Sequence, residues 1–254
     1  MISRRWMLRA AAGLALLMTA GPAFAQDKLK VLATFSILGD FVKNVGGDRV
    51  EVATLVGPNS DAHVYAPAPA DAKKVADAKV VIVNGLGYEG WMSRLAKASG
   101  SKAPVVVASK GVKERKAPGG HGHGGADPHA WQSVANAKVY VANIRDALIA
   151  ADPAGKAAYE ANAAAYLGKL DALDADVKAA VAAIPADRRR TVASHDTFGY
   201  FQQACGVEFI APQGVSTVGG KLYSDALTEA NGNAPNYFEL MRHNIKTLSA
   251  ALMP

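Results

Sequence analysis

Short apolar runs alternate along the chain with stretches in which apolar residues recur every three or four positions. The runs at 31–35, 50–55, 80–83 and 105–107 are rich in β-branched and aliphatic residues, as strands of a buried parallel sheet should be. Between and after them, 38–45, 70–78, 88–98 and 135–150 carry the helical period. Strand–helix alternation of this kind predicts right-handed βαβ units. Asp152-Pro153 then reads as an N-cap followed by proline at the first helical position. Tyr159, Ala163, Tyr166, Leu170, Leu173, Val177, Ala180 and Ile184 follow at spacings of three and four until Pro185 ends the run. A helix of about 30 residues is roughly 45 Å long, longer than a small lobe is wide. Its alanine-rich repeat favours a helix packed across two lobes over a coiled-coil seam between two chains.

The alternation restarts beyond the helix, with strands predicted at 191–193, 207–210 and 221–223 and helices at 198–204 and 237–252. The expected fold class is α/β, with two lobes of mainly parallel sheet bridged by one long rigid helix. The expected segments are 26–152, 153–185 and an abbreviated second lobe at 186–254. One interval does not fit. Only ten residues separate Ile210 from Lys221, among them Pro212, Gly214, Gly219 and Gly220. A parallel crossover with its own helix needs at least about 10–12 residues of helix-forming sequence.

The first 25 residues have a different character. Arg4, Arg5 and Arg9 form a positive head, residues 10–20 an apolar run, and Ala23-Phe24-Ala25 a small-x-small cleavage site. This predicts a signal peptide cut after Ala25, since the run is shorter than the roughly 20 apolar residues of a membrane span. The arginine pair fits a twin-arginine signal and an ordinary one alike. Export to a periplasm is therefore expected. The whole chain carries a formal charge of +6, but removing those three arginines leaves +3. That is weak evidence for an acidic partner, and no nucleic-acid partner is expected. The single cysteine, Cys205, excludes a disulfide scaffold and reads as a small buried hydrophobe.

Among the six histidines, His63, His129 and His195 follow predicted strands, and Asp225 ends the predicted strand 221–223. Ligands of open α/β sheets bind at the carboxyl ends of strands, so two facing lobes would bring these four groups together. Three imidazoles and a carboxylate suit Zn²⁺ at about 2.0–2.2 Å, whereas Mn²⁺ prefers more oxygen. Asp61-Ala62-His63 and Asp127-Pro128-His129 repeat an Asp-x-His unit. Its aspartates serve either as acceptors that orient the rings or as turn formers. The tract Gly119-Gly120-His121-Gly122-His123-Gly124-Gly125 reads as a solvated loop with weak metal capture as the alternative, and His243 as structural.

Four stretches in order resemble the zinc/manganese-type solute-binding receptors of bacterial ABC importers. They are the loop from Gly57 to Pro67 around Asp61-Ala62-His63, Asp127-Pro128-His129-Ala130-Trp131, Ser194-His195-Asp196-Thr197-Phe198-Gly199, and Leu222-Tyr223-Ser224-Asp225-Ala226-Leu227. The stretches from Val81 to Trp91 and from Tyr237 to Asn244 resemble that family too. The resemblance implies two lobes bridged by a rigid helix with little closure, and a metal held by His63, His129, His195 and Asp225. It also implies delivery to a membrane permease by a monomeric receptor. Two departures stand out. Ala62 takes the place of a proline, and a helix–strand–helix segment of about fifty residues is missing before Leu222, which puts the position of Asp225 in question.

Three functions follow as expectations. The first is a periplasmic receptor for Zn²⁺, or Mn²⁺ next, that acts without catalysis. The second is a zinc hydrolase built on the same cluster, with no His-Glu-x-x-His helix to support it and Glu89 the nearest general base, a residue that reads equally as the charge at a helix N-terminus. The third is an exported family member that has lost metal affinity with the missing segment.

Overall fold

The computed structural model describes residues 27–117, 125–193, 196–210 and 220–253. β1 (Leu29–Phe35), β2 (Val50–Val56), β3 (Val80–Val83) and β4 (Val105–Val107) form one parallel sheet in the order β2-β1-β3-β4. Its helices are α1 (Ser36–Gly46), α2 (Pro69–Asp77) and α3 (Met92–Ser99), followed by α4 (Val134–Ala151). The central strands explain the sequence pattern: Val31, Leu32 and Ala33 of β1 and Val80, Val81 and Ile82 of β3 are all at most 1 % exposed. Burial on both faces demands such continuous apolar runs.

The long helix, α5, covers Lys156–Ala183. Its 28 residues make it about 42 Å long. Tyr159, Ala163, Tyr166, Leu170, Leu173 and Val177 face the core as their spacing predicts, and Val181 takes the place expected of Ala180. The helix does not begin at Pro153, where a single 3₁₀ turn, Pro153–Gly155, intervenes. The Asp152 carboxylate accepts from Arg49 Nη2 at 2.8 Å and Tyr159 Oη at 2.7 Å, tying the start of α5 to the start of β2.

Beyond α5, β5 (Arg190–Val192) and β6 (Glu208–Ile210) form a two-stranded parallel sheet around α6 (Gly199–Cys205). The last helix, α7 (Tyr237–Leu252), packs on α5 and α1. Its N-terminal Tyr237 donates its N–H to Asp40 of α1 at 3.1 Å. Cys205 is partly buried, and burial pushes its thiol up to about 11. Among the described residues no helix is long and apolar enough to cross a membrane.

One predicted strand is absent. Residues 221–223 run beside α7 without joining either sheet. Ten residues cannot cross from β6 to a parallel neighbour through a helix, so this backbone takes its hydrogen bonds elsewhere. The predicted signal peptide, the tract with His121 and His123, and His195 lie outside the described residues.

Candidate metal centre

His63 lies on the loop between β2 and α2. Asp61 Oδ1 accepts the His63 N–H at 2.8 Å, an Asx turn that folds the backbone back on itself. Trp91 Nε1 holds the Ala62 carbonyl at 3.1 Å. Asn59, in the left-handed region at φ 56°, donates its N–H to the Leu227 carbonyl at 2.8 Å. Asparagine tolerates that conformation better than most residues. Ala62 is fully buried at this point, where the resemblance led to an expectation of proline.

His129 follows the irregular segment after β4 and is 5 % exposed. Asp127 Oδ1 accepts both the His129 N–H at 2.9 Å and its ring Nδ1 at 2.8 Å. The repeated Asp-x-His unit therefore divides its labour. Asp61 forms a turn, while Asp127 forms the same turn and orients the imidazole so that Nε2 faces His63 and Asp225. Asp127 Oδ2 pairs with the Arg115 guanidinium. That guanidinium lies over the Tyr200 ring, 5.8 Å from its centroid, while the Arg115 N–H donates to Tyr200 Oη at 3.2 Å. Gly199 leaves the space for it, since a Cβ there would collide with the Arg115 guanidinium. Burial works to raise the Asp127 carboxyl, but the bonds from His129 and Arg115 outweigh it and hold the group below its ordinary value. Burial lowers His129, yet Asp127 and Asp225 outweigh it and lift the imidazole to about 9.

From the other side, Asn84 at the end of β3 reaches the same loop. It is fully buried, its Nδ2 donates to the Pro128 carbonyl at 2.9 Å, and its Oδ1 accepts from Tyr140 Oη at 2.5 Å. The backbone N–H groups of Asn84 and Gly85 donate to the Glu89 carboxylate at 2.6 and 3.1 Å, and Thr34 Oγ1 adds a third bond at 2.6 Å. Burial raises the Glu89 carboxyl, and these bonds partly offset it. Glu89 therefore serves neither as the charge at a helix start nor as a base facing the cluster. It closes the turn after β3, and α3 begins only at Met92.

Asp225 meets the two histidines even though its expected strand is absent. His63 Nε2 and His129 Nε2 are 2.9 Å apart, His129 Nε2 is 3.3 Å from Asp225 Oδ1, and His63 Nε2 is 3.9 Å from it. Zinc ligands at about 2.0–2.1 Å in a tetrahedral array stand about 3.3 Å from one another. The three observed separations bracket that value, and one ligand atom from each residue lies within 4.8 Å of the others. Tyr88, almost fully buried, stands edge-on to His63 with ring centroids 4.6 Å apart, and Trp131 packs on His129 at 5.4 Å. The cluster thus has an aromatic wall, and a cleft of about 260 Å³ lined by Asn59, Asp61, Lys221 and Tyr223 opens beside Asp225. The structure brings together three of the four expected residues, the fourth being His195. Sequence reasoning passed over Arg115 and Asn84. Asn84 was within reach, because it follows a strand end just as the histidines do.

Loops that follow parallel strands, and a segment outside both sheets, bring two imidazoles and a carboxylate together in an α/β protein with one long helix, a cluster of metal-ligand type. Residues 31–220 match the family described as zinc-uptake complex component A, periplasmic (ZnuA), and the chain belongs to that family. The manganese ABC transporter substrate-binding lipoprotein PsaA of Streptococcus pneumoniae is 40 % identical over 189 residues, covering 72 % of this chain but only 61 % of that protein. The manganese-binding lipoprotein MntA of Halalkalibacterium halodurans is 32 % identical over 271 residues, with 89 % of each chain covered. That alignment is longer than this 254-residue chain, so part of it is filled by the relative alone, as an internal deletion here requires. The periplasmic zinc-binding protein TroA of Treponema pallidum superimposes with a TM-score of 0.82 at 26 % identity, over 90 % of this chain and all of that one. The Mn-bound periplasmic metal-binding protein of Candidatus Liberibacter asiaticus gives 0.80 at 27 %, over 89 % and 100 %. These relatives are binding proteins, and the hydrolase expectation finds no support among them.

Proposed function

We propose that this chain is an exported receptor that captures a divalent transition-metal ion with His63, His129, His195 and Asp225 and hands it to the membrane permease of an ABC importer. The observation that carries the reading is the spacing of the His63, His129 and Asp225 ligand atoms, 2.9 to 3.9 Å, with His129 locked by Asp127. Zn²⁺ is the first choice of ion and Mn²⁺ the second, because three imidazole nitrogens and one carboxylate are nitrogen-rich. The relatives span manganese, zinc and, in the YfeA protein of Yersinia pestis, iron. The signal peptide is cut after Ala25, and the lobes meet the bridging helix at 153 and 185.

An ion bound at His129 Nε2 would displace the proton that nitrogen carries, so capture should release a proton while the site gains one positive charge. Four protein ligands leave no open position for an activated water, which makes the site a holder of its cargo rather than a catalyst. Trp131 packs on His129, which is buried, while His63 beside Tyr88 stays open to solvent with 34 % of its side chain exposed.

Metal retention tests the reading. The purified mature chain, dialysed against metal-free buffer, should keep about one Zn²⁺ per molecule and bind Mn²⁺ more weakly. His129→Ala should lose retention, with affinity falling more than about 100-fold. A folded chain that retains no metal would instead support the remaining reading, in which metal affinity went with the missing segment.

A further inference from the structure

We propose that Asn244 of α7 is the positioning residue that holds Asp225 at the cation site, supplying from a side chain the pairing that a sheet neighbour would otherwise give. The role in metal binding rests on the receptor reading; the clamp itself does not. Asn244 is 2 % exposed. Its Oδ1 accepts the Tyr223 N–H at 2.8 Å and its Nδ2 donates to the Tyr223 carbonyl at 2.7 Å. Those two bonds reproduce the double exchange by which a residue in an antiparallel ladder grips the one opposite. A planar carboxamide is suited to it, because one rigid group carries both a donor and an acceptor.

The clamp acts two residues before Asp225, where the predicted strand would have fixed direction. The bonds after it come from separate partners. The Ser224 carbonyl accepts from Trp131 Nε1 and Gln132 Nε2, both at 2.9 Å, while the Leu227 N–H donates to Ser36 Oγ at 3.0 Å and its carbonyl accepts from the Asn59 N–H at 2.8 Å. These place the far side of the segment against the first sheet, but no one side chain there holds both groups of a residue. Asn244 holds both groups of one residue and so sets the plane from which Asp225 departs. Its own place is set by Leu240, Met241, Ile245 and Leu248, which are buried along α7. The neighbouring His243 adds its ring against Tyr223, with centroids 4.8 Å apart. Without the clamp, Tyr223 turns about the Ser224 anchor, and Asp225 Oδ1 leaves its position 3.3 Å from His129 Nε2.

Hydrogen exchange and zinc affinity on the full mature chain test this together. Asn244→Asp keeps the shape and the acceptor but sets a carboxylate against the Tyr223 carbonyl, and Asn244→Ala removes both bonds. In the metal-free chain each variant should exchange amides of 221–227 about tenfold faster. Amides of β1 and α5 should keep wild-type protection. Zinc affinity should fall about 10–100-fold, and adding Asn244→Asp to an Asp225→Ala chain should cost no further affinity. Unchanged exchange at 221–227, exchange that rises equally everywhere, or an undiminished loss in the Asp225→Ala background would each overturn the proposal. A wild-type chain without zinc retention would overturn the receptor reading, while the exchange result still decides what Asn244 does.

Discussion

The two sheets of this molecule differ in how much they can hold up unaided. The first has four parallel strands whose central members are sealed on both faces. The second, among the described residues, has two strands of three residues, and Val192 on β5 is 48 % exposed. A lone pair of strands is marginal in water. Yet Asp225, expected to hang from the weaker half, sits 3.3 Å from His129 of the stronger one. Its segment is tied to Ser36, Asn59, Trp131 and Gln132 of the first half and to Asn244 of α7. The comparison teaches that the described part of the cluster is a property of the first sheet and the last helix.

Substitutions in each half test that contrast. The largest effect should come from the first sheet: Leu32→Ala, at a fully buried site, should cost about 2–5 kcal/mol in chemical unfolding. Val192→Ala on the second sheet should stay within about 0.5 kcal/mol. Equal costs would mean that the two halves share their stability. Next comes the support of His129. Asp127→Asn removes the charge that both Arg115 and the His129 ring use, and should weaken zinc binding about 10–100-fold by calorimetry. A wild-type affinity would show that the His129 ring needs no orienting partner.

The smallest effect concerns the joint between α5 and β2. Burial pushes the Asp152 carboxyl up, but its bonds from Tyr159 and Arg49 win and hold it below the ordinary 3.8. A depressed carboxylate contributes stability above its unfolded pKa and loses it as the pH falls through the folded value. The wild type should therefore be more stable than Asp152→Asn at neutral pH, and the gap should close only as the pH drops below about 4. A gap that persists in strong acid would mean the joint is not ionic.

Much of the first half was legible because its signals are local. Continuous apolar runs marked β1 and β3, and the three-four spacing from Tyr159 to Val177 marked α5. Histidines in the loops that follow strands pointed to His63 and His129. Asp225 does lie beside the two histidines, but by another route than expected, since the strand that was to carry it does not form. Its segment is tied down in part by contacts from residues more than 90 positions away at Trp131 and Gln132, and 191 at Ser36. No periodicity reports such pairings. Glu89 was misread for a related reason. Its acidic side chain at a helix start fits a dipole partner, but the turn after β3 needed its oxygens more. Arg115 carried no local signal at all, because its role depends on Tyr200 and Gly199 arriving from beyond α5.

The most direct test of the account is the anomalous-scattering map of a crystal of the mature chain grown with one equivalent of Zn²⁺. The account predicts a single strong peak about 2.0–2.2 Å from His63 Nε2, His129 Nε2 and an Asp225 carboxylate oxygen. A peak that touches the histidines while Asp225 has swung away, or one found only at His121 and His123, would contradict it.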